Sequence, residues 1–321
     1  MSLVRTRTLR FLAFLLPFLA LAAKVARADD DSKWLRITRV DGVLESLDAS
    51  ITRCEGRWQA ADGVARDVAV SLVAAIHIAE EDFYNALNDE FAKYDVVVFE
   101  LVADDDVKLE SKAERAKMKE EQKAQRKSFN PLNLVSILQE GVGEALGLTY
   151  QIDGVDYGAP NFRRGDCTPS EFVLKLLSNG DVVAFAAETQ LESLLAENSG
   201  VFEGWAVALA CAKDKRLAAR RLMALELARD ETRETEKETR ALSSNAQDAT
   251  ERENAVVHFR NKKALEVVRE ELDAGRTEIA LFYGAAHMPD LSTRLENDFN
   301  LHPTGDPRWL QAWRLSARDA Q

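Results

Sequence analysis

The chain has 321 residues, is 46% hydrophobic and 30% charged, and sets 42 Lys and Arg against 54 Asp and Glu, for a net charge of −12 at pH 7. A phosphate backbone is held by Lys and Arg displacing counterions, so a chain this acidic is not expected to bind nucleic acid. The length suffices for one large domain with insertions or two small ones, and the apolar content is that of an ordinary globular core.

Arg5, Arg7 and Arg10 precede an apolar run from Phe11 to Ala23, and Ala26-Arg27-Ala28 supplies the small residues of a cleavage site. Residues 1–28 therefore read as a secretory signal peptide cleaved after Ala28. The run is shorter than the roughly 20 residues that span a bilayer, so no integral membrane span is expected to remain. The expected mature chain, 29–321, is a single exported domain, periplasmic or extracellular. Removing 1–28 takes away five basic residues and no acidic ones, which moves the net charge from −12 to −17. Cys54, Cys167 and Cys211 are the cysteines; with no CxxC they offer neither a zinc ribbon nor a thioredoxin-like pair, and at most one internal disulfide.

Trp34 to Trp58 reads as one or two short strands about a turn at Asp41-Gly42, an entry element ahead of the main fold. Val68 to Ile76 is β-branched and apolar without alternation, the pattern of a strand buried on both faces of a parallel sheet. Glu80 to Phe91 repeats Phe83, Leu87 and Phe91 at helical spacing, and Tyr94 to Val102 is the next strand, completing a parallel βαβ unit. Asp104 to Lys127 is mostly charged and reads as a solvated helix or a lid, and Pro131 to Leu146 as an apolar-periodic helix. Gly154 to Gly165 is a loop. Thr168 then caps a helix with Pro169 first and Glu171 closing a capping box.

Leu191 to Val257 is helical in composition, with a charged insertion near 212–254 that packs against the sheet or projects from it; no heptad is sustained. Periodicity returns from Glu253 to Asp273 through Val256, Val257, Ala264, Leu265 and Val268, crosses Gly275, and enters the strand Ile279 to Tyr283. A final short strand runs from Trp309 to Leu315. The expected fold is α/β: a central, mainly parallel sheet from two βα repeats with helical insertions near 104–127 and 212–254.

Two of the four histidines occupy equivalent places: Ala74-Ala75-Ile76-His77 and Gly284-Ala285-Ala286-His287 each end an apolar strand and precede an acidic helix. Ligands of open parallel sheets bind beyond the carboxyl ends of the strands, so both imidazoles are expected at one site, with Glu100 at the end of the strand beside that of His77. The small residues before each histidine leave room for a ligand or a neighbouring backbone. Two imidazoles and a carboxylate suit a divalent transition metal with open positions; without one, a histidine can act as general base while Glu100 orients it. Arg260, on the helix before the second histidine strand, is either a clamp for a carboxylate or oxyanion or a surface charge. Asp166 is a turn residue or a cleft carboxylate. Tyr283, Arg163 and Asp166 are expected at the substrate, whereas His258 and His302 lack the corner setting and read as surface or helix-packing residues. Gly141 to Gly147 is no dinucleotide fingerprint, since it ends a helix with no strand before it, and the chain holds no HExxH, GxSxG or Walker A motif.

These residues together resemble the TraB/GumN family, also called the Tiki or pheromone-shutdown family, whose signature is a pair of GxxH motifs, a Glu ending the next strand and an Arg on a later helix. Asp153 to Tyr157, Asn161-Phe162 and Asp166 to Phe172 are similar to its bacterial secreted branch, and the likeness runs from Arg36 to Leu315. The resemblance implies an α/β core shared with erythromycin esterases and haem-binding ChaN proteins, with the site between two βα repeats. It also implies a divalent-metal-dependent peptidase in which His77, Glu100 and His287 are the metal or acid/base set and Arg260 steadies the substrate or transition state. Ala74 stands where the family has Gly, which narrows the cleft. The leading expectation is an exported metal-dependent hydrolase of peptides or small molecules, using Mn, Zn or Co. A metal-independent esterase with a histidine base, and a non-catalytic module capturing a peptide or haem, are the alternatives.

Overall fold

The computed structural model describes residues 33–104, 107, 109–123, 143–179, 209, 211–243 and 255–317. Residues 1–28, read as a signal peptide, the first part of the 191–257 region together with 244–254, and nearly all of the expected Pro131–Leu146 helix lie outside them. The chain is α/β, built on one mixed eight-stranded sheet. Among the described residues no helix is long and apolar enough to cross a membrane.

Strands β1 (Leu35–Val40) and β2 (Val43–Gln59) form a hairpin whose turn residues Asp41 and Gly42 both have positive φ, 52° and 76°. That pair suits the twist of a two-residue hairpin, which Asp-Gly adopts readily. β2 is long and changes partners along its length: its first half lies between β1 and β10 (Arg308–Arg314), its second between β3 (Ala65–Ala75) and β9 (His302–Pro303). The Trp34–Trp58 segment is thus part of the main sheet and not an entry element ahead of it. The order continues β3, β8 (Glu278–Gly284), β5 (Val96–Phe99), β7 (Phe162–Arg164), all parallel, whereas β1, β2, β9 and β10 pair antiparallel.

Residues Val68 to Ala75, Val96 to Phe99 and Ile279 to Tyr283 are buried without interruption, the hydroxyl of Ser71 included, because helices cover these strands. Helix α1 (Glu81–Phe91) buries Phe83, Tyr84, Leu87 and Phe91. A small second sheet pairs β4 (Ile78–Ala79) with β6 (Thr149–Tyr150), and the single-turn helix α3 (Gln151–Gly154) follows β6. Helix α2 (Lys112–Lys123) is the charged helix expected near 104–127, and Ser111 and Glu114 box its start. Thr168 and Glu171 form the expected box at helix α4 (Pro169–Asn179). Helix α5 (Lys215–Ser243) packs its first half on the fold, burying Met223, Ala224 and Ala228, with Arg221 donating to the Leu315 carbonyl. Helix α6 (Ala255–Asp273) turns into β8 at Gly275, whose φ of 88° favours glycine. Helix α7 (Met288–Phe299) buries Met288, Leu291, Leu295 and Phe299, about 2 kcal/mol each before ordering costs.

The last parallel strand in sequence, β8, is central in space. It separates β3 from β5, so the βαβ unit read at 68–102 is parallel but its strands are not neighbours. Ala75 pairs Gly284 and Phe99 pairs Phe282, so β3, β8 and β5 end nearly level.

Candidate functional site

The corner carrying His77 is held at three successive carbonyls. Ile76 accepts from the Tyr84 hydroxyl at 2.8 Å, His77 from the Gln151 N–H at 2.7 Å, and Ile78 from the Trp313 indole at 2.6 Å. The exposed His77 side chain meets Gln151 through Nδ1 and Oε1 at 3.1 Å, while the Gln151 amide donates to the Tyr157 hydroxyl at 2.7 Å. Gln151 thus links the His77 ring to the buried Tyr157 hydroxyl.

His287 lies in the 3₁₀ turn Ala285–His287 after β8 and is buried. Its Nδ1 is 2.6 Å from Asn261 Oδ1, and Asn261 Nδ2 donates to the His287 carbonyl at 3.2 Å and to Asp290 Oδ2 at 2.8 Å. Its Nε2 faces Glu100 Oε1 at 3.6 Å. Glu100 also accepts from Arg260 Nη2 at 2.7 Å and, through Oε2, from the Gly284 N–H at 2.8 Å. A Cβ at position 284 would lie 3.3 Å from that same oxygen, so here the small residue preceding the histidine makes room for the carboxylate.

Arg260 binds Asp166 by two nitrogens, at 3.0 Å and 2.6 Å, and Asp166 also accepts from the Cys167 N–H at 2.8 Å. The guanidinium therefore bridges two carboxylates, and only Nη1 meets no acceptor among the described residues. The reading of Arg260 as a surface charge is set aside: its side chain is 14% exposed and that of Asp166 fully buried. Its Nε and Nη2 are already committed, so these two are not free to hold a substrate oxyanion.

Burial alone would raise the Glu100 carboxyl, but at the acid pH where it titrates the protonated His287 ring, with Arg260, His77 and the Gly284 N–H, outweighs burial and brings it to about 2. Burial pushes His287 down from 6.5, against the pull of Glu100, so the ring is neutral at neutral pH. Arg260, permanently charged, then carries the main burden of keeping Glu100 ionised.

The structure brings His77, Glu100, Asp166, Arg260 and His287 to the ends of adjoining strands. Glu100 sits beside the strand of His287, not that of His77 as read from the sequence, because β8 intervenes. Tyr283 is wholly buried beneath the cluster and donates to the Gly165 carbonyl at 2.7 Å, so it supports the site from below and presents no surface to a substrate. Arg163 points elsewhere, to Glu270 and Glu271 on α6. His258 lies outside the cluster with Nδ1 2.8 Å from Asp290 Oδ1, and His302 is exposed on β9. The three cysteines are free thiols, and Cys54 and Cys167 are buried, where burial pushes both thiols up to about 12.

Gln151 and Asp290 were not picked out by the sequence, and Asn261 was noted only beside Arg260. Single polar residues in apolar-periodic segments carry no period of their own; the available signal was Asp290 three residues past His287, on the same side of the helix start. Among the described residues no three His, Cys, Asp or Glu side chains are gathered to hold a metal ion. Both Glu100 oxygens already accept hydrogen bonds, one of them from a guanidinium, so His77, Glu100 and His287 as placed do not fit a three-ligand metal set. Comparisons of the chain with protein-family models, with curated proteins and with solved structures give no match.

Proposed function

We propose that this chain is a hydrolase of acyl or peptide bonds, with a water activated between His287 and Glu100. One observation carries the reading: Nε2 of an imidazole whose Nδ1 lies 2.6 Å from Asn261 Oδ1 stands 3.6 Å from a carboxylate oxygen, which leaves Nε2 as the acceptor when the ring is protonated on Nδ1. Both are lone-pair acceptors, so a neutral His287 and an ionised Glu100 repel unless a donor lies between them. Water satisfies both by donating one hydrogen to each, and its own lone pairs then face away, toward a carbonyl carbon.

As water adds to that carbonyl, a C–O bond forms, the C=O π pair moves onto its oxygen to give a tetrahedral oxyanion, and one water proton passes to His287 Nε2. The imidazolium so formed lies against Glu100, which Arg260 and Gly284 keep ionised, and this pairing lowers the barrier most where the charge develops. On collapse the bond to the leaving group breaks, and the proton moves from His287 to that group. His77, exposed on a pinned corner, contacts the substrate at the rim.

The proposal carries with it membership in the TraB/GumN family, a core of two βα repeats like that of erythromycin esterases and ChaN, and export after Ala28. A divalent cation, if the family likeness extends to it, would polarise the substrate carbonyl; no step here depends on one. The test is hydrolysis of peptide and ester pools by purified 29–321, in strong chelator and with added Mn²⁺ or Zn²⁺. Cleavage that persists in chelator supports the histidine-based mechanism. Cleavage only with metal replaces it by a metal-dependent one, and no cleavage under any condition removes the hydrolase proposal.

A further inference from the structure

Asp290 touches neither Glu100 nor any atom of the His287 ring in the contacts above, yet it decides which nitrogen of that ring is free. A side-chain amide is nearly symmetric in shape, and Asn261 fits its place equally well turned either way. Turned one way its Oδ1 accepts from a protonated His287 Nδ1; turned the other its Nδ2 donates to a bare Nδ1, and the proton moves to Nε2, facing Glu100. Two oxygens near Asn261 break the tie: the His287 carbonyl at 3.2 Å and Asp290 Oδ2 at 2.8 Å, both on the Nδ2 side. The Asp290 oxygen is the stronger of the two. An ionised carboxylate has only lone pairs to offer, so it tolerates the NH₂ end of Asn261 and rejects the oxygen.

We propose that Asp290 is a positioning residue which, by fixing the amide of Asn261, locks neutral His287 in the form protonated at Nδ1. Asp290 is itself fixed from behind: Arg294 Nε, one turn along α7, lies 2.9 Å and 2.8 Å from its two oxygens, and His258 Nδ1 lies 2.8 Å from Oδ1. It is buried, and its neighbours hold it ionised against the upward push of burial. The relation at His77 differs in kind. There the amide of Gln151 meets the Tyr157 hydroxyl, which both donates and accepts, so that partner leaves the orientation of Gln151 less strictly decided. The role of this orientation in water activation rests on the proposed hydrolase reading; the tautomer itself does not.

The experiment is nitrogen-15 NMR of the full mature chain with labelled histidine, at a pH where the His287 ring is neutral, with His287→Gln assigning the signal. The wild-type protein is expected to show one His287 species, protonated at Nδ1 and bare at Nε2. Asp290→Asn, whose amide accepts or donates, is expected to give a mixture of the two forms. Arg294→Ala removes an ion pair from the same carboxylate but leaves its oxygens in place, and is expected to keep the single species. A wild-type ring protonated at Nε2 overturns the proposal without any variant, and so does Asp290→Asn with the wild-type species unchanged. Because no turnover is measured, the result stands apart from whether the chain hydrolyses anything.

Discussion

Arg260 closes on the wholly buried carboxylate of Asp166 through two nitrogens, Nε to Oδ1 at 3.0 Å and Nη2 to Oδ2 at 2.6 Å. The same Nη2 reaches Glu100 at 2.7 Å, so a single cation offsets two carboxylates in the base of the site. Truncation leaves both uncompensated, which for buried ion pairs costs about 3–5 kcal/mol. Arg260→Ala is therefore expected to lower unfolding stability by that order. Arg260→Lys, a point charge without the planar fork, should recover only part of it. Urea denaturation of the three proteins checks the order.

Acid should destabilise the fold through two groups of the same sign. Glu100 is held at about 2 against an ordinary 4.5, so its contribution, about 3 kcal/mol, is present above pH 4.5 and lost as pH falls toward 2. His287 is depressed from 6.5; below that pH the unfolded chain takes up a proton that the folded ring resists, so stability already falls as pH drops below 6.5. Glu100→Gln should flatten the lower part of the profile and His287→Gln the upper part. Denaturation midpoints measured across this range give the comparison.

Gly284 adopts φ −51° and ψ 143°, which any residue tolerates, yet a Cβ there would lie 3.3 Å from Glu100 Oε2 and 3.8 Å from His287 Cδ2. Gly284→Ala is expected to leave stability within about 1 kcal/mol while displacing the carboxylate by a few tenths of an ångström. Misplacement on that scale in a positioned site costs roughly tenfold in turnover. Thermal unfolding beside steady-state kinetics separates the two effects.

Trp313 is fully buried and its indole donates to the Ile78 carbonyl at 2.6 Å, tying the last strand to the His77 corner. Trp313→Phe keeps most of the packing but leaves that carbonyl without its donor, a loss of about 1–3 kcal/mol. Faster amide exchange at residues 77–80 than elsewhere in the sheet is the expected signature.

The parts of this architecture legible in the sequence were those with a local cause. Asp41-Gly42 predicted its hairpin turn, Thr168 with Glu171 its helix start, and the two strand-ending histidines their corners. The central place of β8 was not legible, because nothing in a buried apolar strand states which neighbours flank it. The length of β2 and its place in the main sheet were missed for a related reason: a strand that changes partners midway keeps no single pattern of burial along its length. Within the site, Glu100 stood out as a charge ending an apolar strand, whereas Arg260, beside Lys262 and Lys263, was singled out by its helix and left open between clamp and surface charge. Gln151 and Asp290 act through hydrogen bonds whose partners are up to 74 residues away, and no spacing rule reaches that far.

The water proposed to bridge His287 and Glu100 is the point on which the functional account turns. The direct measurement is turnover of a cleaved peptide or ester in ¹⁸O-water by wild type, His287→Ala and Glu100→Gln, each shown to be folded. The account predicts one ¹⁸O in the product carboxyl group for wild type and a loss of at least about a hundredfold in both variants, the scale of general-base catalysis. Either variant turning over at the wild-type rate, or product formed without the label, contradicts it.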